Sequence, residues 1–275
     1  MKNIDSATVE GFGHEWDKFK QDQLSAEESG KLFARYFSIF PWERLPQNAE
    51  GFDLGCGSGR WARLVAPRVH RLNAIDASQD ALNVAMKNLA EFGNCRLHLA
   101  SVESIPLPDG SQDFGYSLGV LHHIPDTEKA LQSCVRKLKV GAPFLLYLYY
   151  RFDNRPLWFR AIWRVSDAIR AVISRMPFWL KSRICDLIAL TVYWPLARVS
   201  KILHGFGAQV SAIPLSSYRE TSFYTMRTDA LDRFGTRLEQ RFTRDEIAAM
   251  MSRAGLEDIS FSEEEPYWVS IGRRR

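Results

Sequence analysis

The stretch Phe52–Arg60 reads FDLGCGSGR, with glycines at 55, 57 and 59 and a carboxylate, Asp53, just ahead of them. A glycine-rich turn from a first strand into a first helix lets a ligand approach the backbone. The dinucleotide fingerprint G-x-G-x-x-G uses such a turn to hold a pyrophosphate at a helix N-terminus. Here the spacing is G-x-G-x-G and position 60 is arginine, so the third glycine of that pattern is missing. A loop of this kind behind Asp53 suits a ligand without phosphates. The next acid, Asp76, ends the apolar run LNAID, 21 residues after Gly55. At a strand end its carboxylate can accept two hydrogen bonds from a ribose diol. The alternative is a helix N-cap, because DAS also opens a helix. Cys56 invites a nucleophile reading, but a buried cysteine in such a loop behaves as a small hydrophobe.

Two further stretches carry chemistry, LGVLHHIPD (118–126) and YLYYRFDNR (147–155). His122 and His123 are the candidate bases, since histidine titrates near neutrality. Adjacent residues in extended chain point opposite ways, so at most one of them faces an acceptor. His122 is the favoured one, and the other is expected to be structural. Tyr149 and Tyr150 are alternatives, either touching substrate or packing as an aromatic pair at a sheet end.

The elements that must position these residues follow from the pattern. Short apolar runs (GFDL, RLNAID, RLHLA, DFGYSL, PFLLYLYY) alternate with helical segments between about 49 and 150. That rhythm predicts a parallel sheet with helices on both faces. It breaks at 153–240 and resumes with TRDEIAAMMSRAGL, a helix capped by Thr243, then EDISFS and YWVSIG as two strands. Ser25 with Glu28 predicts a capping box for an earlier helix.

At this point FDLGCGSGRWA, LNAIDAS, ESIPLPDGSQDFGYSLGVLHHIPD and LKVGAPFLLYLY, in this order, resemble the successive motifs of class I S-adenosyl-L-methionine (SAM)-dependent methyltransferases, nearest the ubiquinone/menaquinone methyltransferase-like (type 11) group. The match covers about 49–150, and more loosely 241–272. It implies a Rossmann-like α/β sheet, parallel with an antiparallel last strand, and SAM as cofactor. It also implies that Gly55, Cys56, Gly57 and Gly59 line the methionine part of SAM, with Asp53 nearby. Asp76 would bind the ribose, and Ala77, Ser101 and Val102 would flank the adenine. Leu118 would lie beside the methionine moiety. Many relatives carry aspartate where Ser101 stands; Glu103 is a candidate substitute. FGHEW (Phe12–Trp16) is similar to an N-terminal element that closes over the cofactor, which adds Trp16.

The expected division is a helical cap at 1–48, a SAM-binding domain at 49–152 and 241–275, and a helical insertion at 153–240 acting as substrate lid. On a helical wheel Trp158, Ile162, Val165, Ile169, Val172 and Ile173 share one face, opposite Arg160, Arg164, Asp167, Ser174 and Arg175. Three readings compete for this insertion: a cap packed on the sheet edge with its arginines in water, a lid walling a small-molecule pocket, and a basic surface on anionic lipid. The first two are favoured. Tyr218, Arg219, Tyr224 and Arg227, in a polar and aromatic stretch, are candidates for acceptor recognition.

A net charge of +4 over 275 residues is too weak to argue for nucleic acid. The basicity is local: residues 151–204 hold ten Lys or Arg against three Asp. Four scattered cysteines with no C-x-x-C pair predict neither a zinc site nor a disulfide framework. The N-terminus shows no signal-peptide pattern, and LIALTVYWPLA (187–197) is too short to span a bilayer. The expectation is a cytoplasmic enzyme, or one peripheral to a membrane, that methylates a small molecule on oxygen or nitrogen. A quinone or lipid acceptor at a membrane surface, and a SAM-binding module without turnover, are the alternatives.

Overall fold

A computed structural model describes residues 3–21 and 24–275. Met1, Lys2, Asp22 and Gln23, part of the expected helical cap, lie outside the described residues. Seven strands form one sheet: β1 (Glu50–Leu54), β2 (Arg71–Asp76), β3 (Cys95–Leu99), β4 (Phe114–Leu118), β5 (Pro143–Tyr147), β6 (Leu256–Phe261) and β7 (Val269–Arg274). Their order is β3-β2-β1-β4-β5-β7-β6. The first five are parallel, and β7 runs antiparallel to both β5 and β6. Strand order reverses beside β1, so the crevice past its carboxyl end is where an open α/β sheet binds ligand.

Ten α-helices accompany the sheet among the described residues: α1 (Ser6–Lys18), α2 (Ala26–Tyr36), α3 (Ala62–Val65), α4 (Gln79–Asn88), α5 (Thr127–Lys137), α6 (Leu157–Ile173), α7 (Phe178–Ile188), α8 (Trp194–Gly205), α9 (Phe223–Gly235) and α10 (Arg244–Arg253). The helix after the glycine loop is only four residues long. Pro67 has no N–H and its ring clashes with the carbonyl four back, so a 3-10 turn, Ala66–Arg68, follows it. Thr243 and Glu246 form the full capping box of α10. At α2 only half of one forms. The Glu28 N–H donates to Ser25, while the Glu28 carboxylate accepts from Ser222 N and Thr225 Oγ1 instead.

The chain divides into two compact units. The first is 1–20, 30–151 and 238–275; the second is 21–29 and 152–237. In the first, side-chain alternation along the strands builds a core on each face of the sheet. Phe52, Leu54, Phe144 and Leu146 join Leu131 of α5 and Ile247 of α10 on one side. Leu72, Phe114, Tyr116 and Leu145 join Phe33 of α2 and Phe37 just beyond it on the other. In the second unit α6 and α7 both pack on α9, whose Met226, Ala230 and Leu231 are buried. A π-helical turn, Ala189–Tyr193, joins α7 to α8 without a break. Among the described residues no helix is long and apolar enough to cross a membrane.

Candidate active site

The loop after β1 turns back onto β2. Gly55 N and Cys56 N both donate to Ile75 O, at 2.8 and 3.0 Å, and Gly57 N donates to Asp76 Oδ2 at 2.8 Å. Gly57 has φ +53°, a left-handed conformation that side chains resist. A Cβ there would also sit 2.8 Å from the Trp16 indole. Asp76 ends β2 next to this loop. Its other oxygen accepts from Ser78 N at 2.8 Å, while the cap of α4 belongs to the Ser78 hydroxyl. A carboxylate offers about four acceptor sites, so these two bonds leave capacity for a diol.

Asp53 lies one strand residue from the loop and is 1% exposed. It pairs in register with Tyr116 of β4, on the same face of the sheet. Neither Asp53 Oδ2 nor the Tyr116 hydroxyl makes a well-aligned hydrogen bond among the described residues, although each group affects the other's ionisation. Burial pushes the Asp53 carboxyl up from 3.8 to about 8; the Tyr116 hydroxyl opposes this and the Asp76 charge adds to it. Burial also raises Asp76, against the backbone N–H groups of Ser78, Gly57 and Ala77.

Helix α1 crosses these strand ends. Asn3 exchanges two hydrogen bonds with the Asp126 backbone, 2.8 and 2.7 Å. Phe12 meets the His123 ring at 4.9 Å, and Gly13 lies so close to α4 that a Cβ would come 2.7 Å from Ser78 Oγ. Trp16 then rests on Gly57.

Past β4 the chain forms a 3-10 turn, Leu121–His123. This corrects the extended geometry expected there: a 3-10 turn does not throw successive side chains to opposite sides. The two imidazoles lie together, centroids 3.9 Å apart, and both are buried. His122 stacks on Tyr149 at 3.9 Å. Its two ring nitrogens have no partner among the described residues. Burial, with help from His123 and Arg241, holds its pKa well below 6.5, so it is neutral at pH 7. His123 Nδ1 is 2.6 Å from Leu238 O.

Residues 238–242 close this corner as a strap. Gln240 N donates to His122 O, Phe242 N to Tyr149 O, and Arg151 N to Phe242 O. Arg241 lies over the Tyr149 ring and pairs with Glu239 at 2.7 Å, with both side chains nearly buried.

Residues 52–146 match a family model described as a methyltransferase domain. Over this stretch, about a third of the chain, the protein is similar to methyltransferase domains. The uncharacterized methyltransferase YcgJ of Bacillus subtilis is 34% identical over 100 residues, covering 36% of this chain and 40% of that protein. A ubiquinone biosynthesis O-methyltransferase of Thiobacillus denitrificans is 29% identical over 147 residues, covering 51% and 62%. Less than two thirds of each of these relatives is matched. A solved O-methyltransferase family protein from Burkholderia thailandensis shares the fold, with TM-score 0.56 and 14% identity, covering 96% of this chain and 61% of that one.

Domains of the matched kind take SAM as cofactor. The donor set at this site fits it. SAM is cationic at its sulfonium and amino groups, and two carboxylates with raised pKa, one with an orphaned buried oxygen, stand beside the bare loop. Opposite charge favours the ionised forms that burial disfavours.

The structure brings most of the residues picked out from sequence to one end of this sheet. Asp53, Gly55, Cys56, Gly57, Gly59, Asp76 and Ala77 surround the β1–β2 ends, with Trp16 on top. Leu118 ends β4, and Ser101 and Val102 follow β3. Burial raises the Cys56 thiol well above its usual range, which argues against a nucleophile. Ser101 Oγ bonds Ser104 Oγ at 3.3 Å, Val102 is a core residue, and Glu103 is turned toward Lys129. Tyr149 joins the histidines; Tyr150 does not, facing Tyr267 and Trp268 instead.

Tyr218, Arg219, Tyr224 and Arg227 belong to the second unit and have structural partners there. Tyr218 packs on Tyr193, and the Tyr224 hydroxyl accepts from Gln21 N. Arg219 donates to Ser216 O, and Arg227 grips Asp186 through two bonds. Glu239 and Arg241 were missed. They return to the histidines across a long insertion, and the only hint in the sequence was two opposite charges just before the strand rhythm resumes.

Proposed function

We propose that the protein transfers the methyl group of SAM to a small-molecule acceptor, with oxygen or nitrogen favoured as the acceptor atom. Bound at this site, SAM supplies a methyl on a sulfonium, which an acceptor lone pair takes as the carbon–sulfur bond breaks. The chain's own task is then alignment. In this reading Asp76 holds the ribose, the glycine loop and Leu118 flank the methionine part, and Ala77, Ser101 and Val102 border the adenine. Trp16 covers the loop. In this reading His122, beside Tyr149, takes the acceptor's proton.

The observation that carries this reading is the clasp between Gly57 N and Asp76 Oδ2, which joins the bare loop to a carboxylate with spare acceptor capacity. Calorimetry tests it. Asp76→Ala should weaken SAM binding at least about tenfold, the scale of a lost charged hydrogen bond. Asp76→Asn, which keeps one acceptor oxygen, guards against loss of the loop fold. Unchanged affinity in both folded variants would sink the reading.

A quinone or lipid acceptor is the second reading, supported by the name of the Thiobacillus relative and by the surface described next. The acceptor role of 153–240 is part of this proposal and rests on composition. A module that binds SAM without turnover would give no methylated product with any acceptor.

A further inference from the structure

Helix α6 is built inside out. Leu157, Trp158, Ile162, Val165, Ile169 and Val172 form one stripe and are 48 to 79% exposed. Part of its polar side turns inward, while Arg164, and Arg175 just past its end, stay exposed. Arg170 pairs with Asp167 at 2.7 Å and donates to Thr236 O at 3.0 Å, and Arg233 reaches Ser166 at 3.4 Å. A helix in water ordinarily buries its apolar stripe. The α7–α8 rod repeats the inversion, with Trp179, Leu187, Leu190, Trp194 and Ile202 exposed by 44 to 69%. α6 and α7 both pack on α9, and α8 packs on the 3-10 turn Ser216–Glu220. Contiguous exposed apolar surface marks an interaction site.

Charge selects the occupant. Arg164 and Arg183 are exposed among these stripes, with no carboxylate partner among the described residues. Residues 151–204 hold ten Lys or Arg, three Asp and no Glu, a net charge of +7. A second copy would have to bring two such cationic surfaces together, which repulsion opposes. An anionic surface would be attracted. Trp158, Trp179 and Trp194 suit the boundary between headgroups and acyl chains. A basic helix with one apolar stripe is the kind that lies in an interface plane.

We propose that the exposed face of α6 and the α7–α8 rod docks on an anionic lipid bilayer. The inference is independent of which acceptor is methylated.

The full-length protein is sedimented with vesicles of phosphatidylcholine, with and without phosphatidylglycerol. Binding to the anionic vesicles should be about tenfold stronger or more, and should weaken with added salt. The combined variant Ile162→Asn, Val165→Asn, Ile169→Asn should lose about tenfold of that binding with an unchanged melting temperature, since these side chains are about half exposed. Arg164→Gln with Arg183→Gln should erase much of the preference for anionic vesicles. Wild-type protein that stays in the supernatant with both vesicle types overturns the proposal. So does a homodimer that the asparagine variant dissociates while no vesicle binding is seen.

Discussion

Asp53 is a carboxyl group held away from water, and its ionisation works against the fold. Below about pH 3.8 it is protonated in both folded and unfolded chains. As pH rises the unfolded chain ionises, while the folded carboxyl keeps its proton until about 8. Its contribution to stability is therefore full at low pH and lost across that window, by at most about 1.4 kcal/mol per pH unit. Asp53→Asn should melt higher than the parent, with the gap widening from pH 5 to pH 8. Parallel melting profiles would refute this. The same variant should bind SAM less well, because the charge that costs stability is the one a sulfonium would meet.

At the scale of elements, the strap 238–242 sets the corner where the histidines sit. The Glu239–Arg241 pair has side chains only 2% and 8% exposed. Removing one partner of a buried pair costs about 3–5 kcal/mol. Glu239→Ala should lose that much stability in urea denaturation; a loss below about 1 kcal/mol, typical of a surface pair, would contradict it. This element also shows where sequence stops being informative. The glycine loop and Asp76 were legible, because strand alternation and a fixed spacing place them without long-range knowledge. The histidines were legible as a location but not as a geometry, since nothing local in LHHIP distinguishes a 3-10 turn from extended chain. The strap was illegible, because its partners just past β5 and on the histidine turn lie 90 residues or more away. In α6 the wheel found five of the six stripe residues, but Ile173 is buried, and the pattern could not say whether protein or solvent lies against the stripe.

At the scale of the molecule, contacts segregate into two units and each holds a fully buried thiol. Cys134 lies in α5 of the first unit and Cys185 in α7 of the second. The second unit leaves large apolar side chains in water and has less apolar burial to hold it. Pulsed alkylation across a urea series, read by peptide mass spectrometry, should label Cys185 at a lower midpoint than Cys134. Coincident midpoints would mean one cooperative transition instead.

The hydrogen bonds that tie Arg151 to Phe242 and Arg241 have a consequence for how such a chain can change over generations. They join the two ends of residues 152–237 side by side within the first unit. The sheet thus acts as a socket whose contacts are closed whatever is plugged into it. Doubling the length of a loop whose ends are already held costs only about 0.6 kcal/mol. A stretch within 152–237 can be lengthened or shortened without recutting a strand, provided the bonds of Gln21 and Glu28 to Tyr224, Ser222 and Thr225 are kept, so a new surface could be acquired without rebuilding the glycine loop.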